Sequence, residues 1–208
     1  MSAASAKSAK SASASRRSPT AGATAHAQLL DAAETLFYRE GVRAVGVDAV
    51  VEQAGVNKMS LYRQFASKDE LVLAYLERKN EHYFDRFDED ARRLPDDPKA
   101  QLLKYVDELA VRAAAPDYRG CPFINVAVEF PDPNHAARAS VADNKAELMR
   151  RLLALAQGAG AREPRVLAEG IALVIEGIYA ASQTYRGEDS PIGAAPRVVR
   201  MMIEAACA

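Results

Sequence analysis

Apolar residues recur at helical spacing along most of the chain, and the breaks between those runs fall at Gly and Pro. Leu29, Leu30, Ala33, Leu36 and Phe37 share one face of a helix expected from about Ala25 to Glu40 and stopped by Gly41. Val47, Val50, Val51 and Ala54 make the next stripe, opposite Asp48, Glu52 and Gln53. Gly55 has the freedom to leave that helix in a left-handed conformation, and Asn57 can cap the helix that follows. Val56 and Leu61 are spaced for a hydrophobic staple across that cap. A helix opened by Ser67 carries Val72, Tyr75, Leu76, Tyr83, Phe84 and Phe87 to about Arg93, before Pro95-Asp96-Asp97-Pro98. At 1.5 Å per residue, about 25 residues would reach nearly 40 Å.

Further along, Asp97-Pro98 reads as the cap and first turn of a helix with Leu102, Val106, Leu109 and Ala113 on one face. The run from Cys121 to Phe130, closed by Pro131-Asp132-Pro133, reads as a short buried helix in which Asn125 and Glu129 need polar partners. Residues 134 to about 157 place Val141, Leu148, Leu152 and Leu155 inward and Lys145, Arg150 and Arg151 outward. After Glu163-Pro164, Leu167, Ile171, Val174 and Ile178 form a stripe. A second track of Gly170, Leu173, Val174, Gly177 and Ala181 is largely small, which suits close approach of another helix. Val198, Val199 and Met202 belong to a last helix that Pro196 either starts or kinks. The expected fold is all-α.

The two short helices around Gly55 form the most informative stretch. Between Lys58 and Phe65 only Leu61 and Phe65 lie on a common apolar face, so Met59, Ser60 and Arg63 point away, flanked by Lys58 and Tyr62. A major groove admits such a helix; Lys, Tyr and Ser suit phosphates, and Arg can fork onto guanine. The pattern fits either a helix-turn-helix or two ordinary packed helices. Ser67-Lys68-Asp69-Glu70 then forms a capping box with a cation in the first turn, where the helix dipole disfavours one; an outside anion such as a phosphate would explain Lys68.

Taken together, Ala54-Gly55-Val56, Asn57, Leu61-Tyr62, Phe65 and Ser67-Lys68-Asp69-Glu70 resemble the N-terminal domains of the TetR (TetR/AcrR) family of bacterial transcriptional regulators, over roughly residues 27–76. Many members carry a capping Thr where this chain has Val45-Gly46. The Ser/Ala/Lys/Arg low-complexity stretch over 1–24 has no anchor for a core and reads as a disordered basic arm. The resemblance implies a three-helix helix-turn-helix domain over 25–70 and a helical ligand-binding and dimerisation domain over 71–208. It implies a DNA-contacting set of Gly46, Asn57, Lys58, Met59, Ser60, Tyr62, Arg63 and Lys68. An inducer cavity is implied at Tyr75, Tyr105, Cys121, Phe123, Asn125, Glu129 and Tyr179, and a dimer interface at Gly170, Val174, Gly177, Ala181, Val199 and Met202. The function implied is that of a cytoplasmic homodimeric repressor that binds a palindromic double-stranded operator and is released by a small-molecule inducer.

Charge sharpens this picture. Met1 to Lys68 holds nine Lys/Arg against five Asp/Glu, so a net charge of −1 hides a basic N-terminal end and an acidic remainder. Within the first 24 residues Lys7, Lys10, Arg16 and Arg17 could follow phosphates or a minor groove, or simply be solvated. Cys121 and Cys207 have no metal-ligand spacing, so no metal and no cofactor is expected. Arg119 near Cys121 leaves a second reading open, a redox- or electrophile-sensing regulator. His26, His82 and His135 fall in three different elements with no hydrolase or phosphate-loop motif, so no catalytic set assembles and an enzyme is not expected. No apolar run approaches the roughly 20 residues a bilayer requires, so no membrane partner is expected either.

Overall fold

The computed structural model describes residues 21–185 and 187–207. Among these residues every regular element is helical, which bears out the all-α expectation. The basic positions Lys7, Lys10, Arg16 and Arg17 lie outside the described residues.

Helix α1 (Ala21–Glu40) starts four residues before its expected boundary and ends at Gly41, whose φ of 91° takes the chain into a turn. Helices α2 (Val47–Ala54) and α3 (Lys58–Gln64) lie against it through Val50, Val51, Leu61 and Phe65, all buried. Burying each such side chain contributes roughly 1.5–3 kcal/mol, which is how a seven-residue helix with little stability of its own is held.

Helix α4 (Lys68–Arg93) is one 26-residue element, so about 39 Å of rigid helix leads from this head into the body. Its first half packs Leu71, Val72, Tyr75 and Leu76 against α1; its second half offers Phe84 and Phe87 to the body. The body comprises α5 (Pro98–Ala113), α6 (Pro122–Glu129), α7 (Ala136–Gly158), α8 (Pro164–Thr184) and α9 (Ala195–Ala206), with short 3-10 turns at Gly187–Asp189 and Pro191–Ala194. Pro196 lies in the first turn of α9, so it starts that helix rather than kinking it.

Three expectations change. Lys145 does not point outward: its Nζ meets Glu176 at 2.5 Å and Cys121 Sγ at 4.0 Å. Arg151 likewise sits over the Phe84 and Phe87 rings, paired with Asp88 and Glu147, because a guanidinium gains more from two ring faces and two carboxylates than from water. Third, α8 is long and apolar enough to cross a bilayer by length and composition, contrary to the expectation for any segment. Its Leu167, Ile171, Ile175 and Ile178 are instead buried against α5, α7 and α9.

Candidate nucleic-acid interface and effector cavities

The turn between α2 and α3 is built from local hydrogen bonds. Gly55 adopts φ 66°, and the N–H groups of Gly55 and Val56 donate to the carbonyls of Glu52 and Val51, closing α2. Asn57 then caps α3: its Oδ1 accepts from Ser60 N at 2.9 Å and from the Ser60 hydroxyl at 3.1 Å. With Leu61 and Phe65 buried, the opposite side of α3 faces solvent, Met59 being 64 % and Tyr62 48 % exposed. Arg63 is exposed and has no ion pair among the described residues. Lys58 is paired with Asp48 of α2 at 2.7 Å, a bond that pushes its pKa up and keeps it cationic.

Two expected contact residues are bound up with the subunit itself, Asn57 through the α3 cap and Lys68 through partial burial. Asn57 spends its side-chain oxygen on the cap, so it shapes the motif before it can touch anything outside. Lys68 is partly buried, which lowers its pKa, and the Glu129 carboxylate on α6 opposes that shift. Burial outweighs that carboxylate, so the nearby anion offsets the cost of placing a cation here only in part. Gly46 caps α2 without a side chain, and the space beside it is open.

Head and body are clasped at two places. The Glu129 carboxylate accepts from Arg43 N at 2.7 Å, and the Arg43 guanidinium donates to the Glu129 carbonyl at 3.3 Å. Glu129 also crowds Gly41, where an added Cβ would meet its Oε1 at 3.0 Å. At the second clasp, the Tyr38 hydroxyl donates to the Gly120 carbonyl and accepts from Arg119 N. Asn125 donates to the Arg119 carbonyl at 2.9 Å. So Asn125 and Glu129, expected in the cavity, belong to the joint between the short helix and the head: each found a nearer backbone partner.

The other expected cavity residues do come together, but as packed core. Tyr75, Tyr105, Cys121, Phe123 and Tyr179 are all buried. Tyr105 donates to the Tyr83 hydroxyl, and Tyr179 reaches the same oxygen at 3.3 Å. Burial pushes the Tyr105 hydroxyl up to about 12, so these phenols stay protonated at neutral pH. Burial also raises the Cys121 thiol, although Lys145 opposes the shift. An enclosed, protonated thiol makes a poor nucleophile, which weakens the redox reading.

Two cavities flank this aromatic core. One, of about 350 Å³, is lined by Tyr38, Tyr83, Tyr118, Tyr179 and the cations Lys79, Arg86 and Arg112. The other, of about 470 Å³ between α4 and α7, is lined by Leu73, Leu76, Glu77, Asn80, Phe123, Ser140, Asp143, Asn144 and Glu147. Most of these residues were not anticipated. The one available signal was Asn144, a polar residue four before Leu148 on the inward face of its helix.

The proposed interface residues also divide. Ala181 and Val199 are buried within the subunit, and Gly170 faces Met202, whose methyl occupies the space a Cβ would need. These four therefore serve the α8–α9 contact inside one chain. Gly177 has nothing near it, and the exposed apolar side chains on this face are Val166, Leu173, Val198 and Met201.

The three histidines stay in separate places. His26 packs on Phe65, His82 lies exposed on α4, and His135 caps α7 while stacking on Phe130.

A capped helix-turn-helix with an unburied polar face, joined by one long helix to an all-α body, defines a DNA-binding transcriptional regulator. Residues 29–75 match the family described as bacterial regulatory proteins, tetR family. A solved structure assigned to the TetR transcriptional regulators, from Streptomyces avermitilis, is 32% identical over 88% of this chain and 97% of that chain, with a TM-score of 0.76. The chain belongs to the TetR family of transcriptional regulators.

A second solved structure, the TetR-family regulator SCO4454 of Streptomyces coelicolor, shares the fold at a TM-score of 0.78 with 24% identity, covering 88% of each chain. Among curated relatives, the transcriptional activator FasR of Mycolicibacterium smegmatis is 49% identical over 51 residues, which is 24% of this chain and 23% of FasR. The regulator TtgR of Pseudomonas putida is 36% identical over 66 residues, 32% of this chain and 31% of its own. The chain thus spans only about a quarter to a third of the length of these curated relatives. These relatives are regulators rather than enzymes.

Proposed function

We propose that the protein acts as a homodimeric repressor in the cytoplasm, holding a palindromic operator with two copies of the α3 face and releasing it when a small molecule occupies the body. In this reading the head is residues 25–70, extended at its start by the first turn of α1, and the body is residues 71–208. The observation that carries it is the pair of unburied faces, one on the head and one on the body. One is the polar side of α3; the other is the apolar strip of Val166, Leu173, Gly177, Val198 and Met201 on α8 and α9. A single motif reads few base pairs, so a twofold pairing at the apolar strip would give it a second reading head.

Coupling between body and head runs through Glu129. This carboxylate grips the α1–α2 turn from the end of α6, while Asp69 at the start of α4 lies 3.7 Å from His135 just beyond it. A ligand that shifts α4 against α6 would break or re-form these contacts and re-aim α3, a population shift between two arrangements of the head. By linkage, whatever ligand weakens operator binding must itself bind less well to the operator complex.

The test is selection of bound sequences from a random DNA pool, followed by affinity measurements across a salt series and sedimentation of the free protein. The expected result is a twofold-symmetric site, affinity that falls steeply with salt, and a dimer. A monomer that selects no symmetric sequence would overturn the reading.

A further inference from the structure

The cavity between α4 and α7 has a lining of one chemical kind. Glu77 and Asp143 stand at its exposed rim, and neither carboxylate has a hydrogen bond or ion pair among the described residues. Glu147, the third acid, is neutralised by Arg150 and Arg151, which hold its carboxyl down to about 2. Among the described residues no Lys or Arg lines the cavity. Its apolar wall is Leu73, Leu76 and Phe123.

Deeper in the wall, Asn144 donates through Nδ2 to Asn80 Oδ1 at 2.8 Å. Asn144 is only 2 % exposed, and its own Oδ1 is buried with no hydrogen-bond partner among the described residues. A buried acceptor left without a donor is costly, and natural cores seldom keep one without a reason. The neighbouring side chains cannot supply the charge either, because Lys145, one position on, is held by Glu176.

We propose that this cavity binds an organic ammonium: a primary or secondary amine on an apolar or aromatic body, its N–H donating to Asn144 Oδ1, its charge facing Glu77 and Asp143, its body against Phe123 and Leu76. The proposal rests on the reading of the body as a small-molecule effector domain and names the class of effector. An anion is disfavoured by two unpaired carboxylates in the rim. A neutral alcohol could reach the orphan oxygen but would gain nothing from the rim, and a quaternary ammonium would gain from the rim but has no N–H to give. The second cavity, with Lys79, Arg86 and Arg112 and no acid among the described residues of its lining, has the opposite preference.

Calorimetric titration of the full chain with 4-phenylbutylamine, its N,N,N-trimethyl derivative, 4-phenylbutanol and 4-phenylbutyrate separates these cases. The primary amine is expected to bind at least about tenfold tighter than each of the other three. The exposed double substitution E77Q/D143N should weaken the amine about tenfold and leave the alcohol unchanged, with no change in melting temperature. N144L should lose the preference for primary over quaternary amine; should it fail to fold, E77Q/D143N still decides. Failure of the amine to bind up to about 5 mM, equal or tighter binding of the carboxylate, or indifference to E77Q/D143N would each overturn the proposal. Operator release is measured separately on the wild-type complex. Binding of the amine without release would leave the site standing and sink small-molecule control of DNA binding.

Discussion

The head and the body of this subunit each leave a helical face unburied, and they do so in opposite chemistries. On α3 the free side carries Ser60, Tyr62 and Arg63 around a single Met59, on a helix whose start is capped by Asn57. On α8 and α9 the free side carries Val166, Leu173, Val198 and Met201 around Gly177. A polar face with few competing ion pairs is soluble alone and can meet a charged polymer. An apolar strip with a glycine at its centre is costly in water and fits the backbone of another helix. The difference shows why one chain can be read as a head for nucleic acid and a base for its own copy.

The harshest way to break the comparison is to remove the support of the polar face. Leu61 is wholly buried under α3, so Leu61→Ala should cost about 2–5 kcal/mol and lower the thermal midpoint, with α1–α3 exchanging amide hydrogens faster than α5–α9. Equal loss of protection in head and body would mean that the two do not behave as separable regions.

Gly177→Leu attacks the other face. Nothing within the subunit lies near this position, so the chain should fold as before. In a dimer, the added side chain should force the helices apart at a cost of about 1–3 kcal/mol, with operator affinity falling alongside. Sedimentation that still shows a dimer with full affinity would move the interface elsewhere.

Within the polar face, Arg63→Ala should cost about 1–3 kcal/mol at one base pair of each half-site and leave the other positions alone. Tyr62→Phe should weaken all sequences evenly, since a phosphate positions without specifying. Binding measured against a set of single-base operator variants distinguishes the two patterns.

The mildest change adds something to the head. Gly46 caps α2 in an extended conformation, with φ −81° and ψ 159°, and with free space beside it. Gly46→Ser should stabilise the head by a few tenths of a kcal/mol, seen as a small rise in melting temperature. A drop would show that the bare glycine is required.

Much of the fold was legible because its signals are local. The stripes of α1, α2 and α5, the left-handed Gly55, and the caps at Asn57, Ser67 and Asp97 are each set within a few residues, and each stands where the spacing put it. The outward face of α3 was readable for the same reason: with only Leu61 and Phe65 to anchor it, the remaining positions had one direction left.

The body was less readable, because its polar residues choose partners far along the chain. Glu129 was expected in a cavity and binds Arg43, 86 residues away. Lys145 and Arg151 were expected in water and are drawn inward by Glu176, Asp88 and two phenylalanine rings. The small-residue track on α8 promised a close helix approach, and Gly170 has one, but with Met202 of its own chain rather than with a second copy. By itself, then, the sequence determined the helices, the reading motif and the family, since those depend on spacing and on short-range backbone chemistry. Only the tertiary structure decided which carboxylates hold the head, which face of α8 stays open, and that an acceptor on Asn144 lies buried without a donor among the described residues. Each of those depends on groups distant in sequence arriving within about 3 Å of one another, a distance at which hydrogen bonds form or fail.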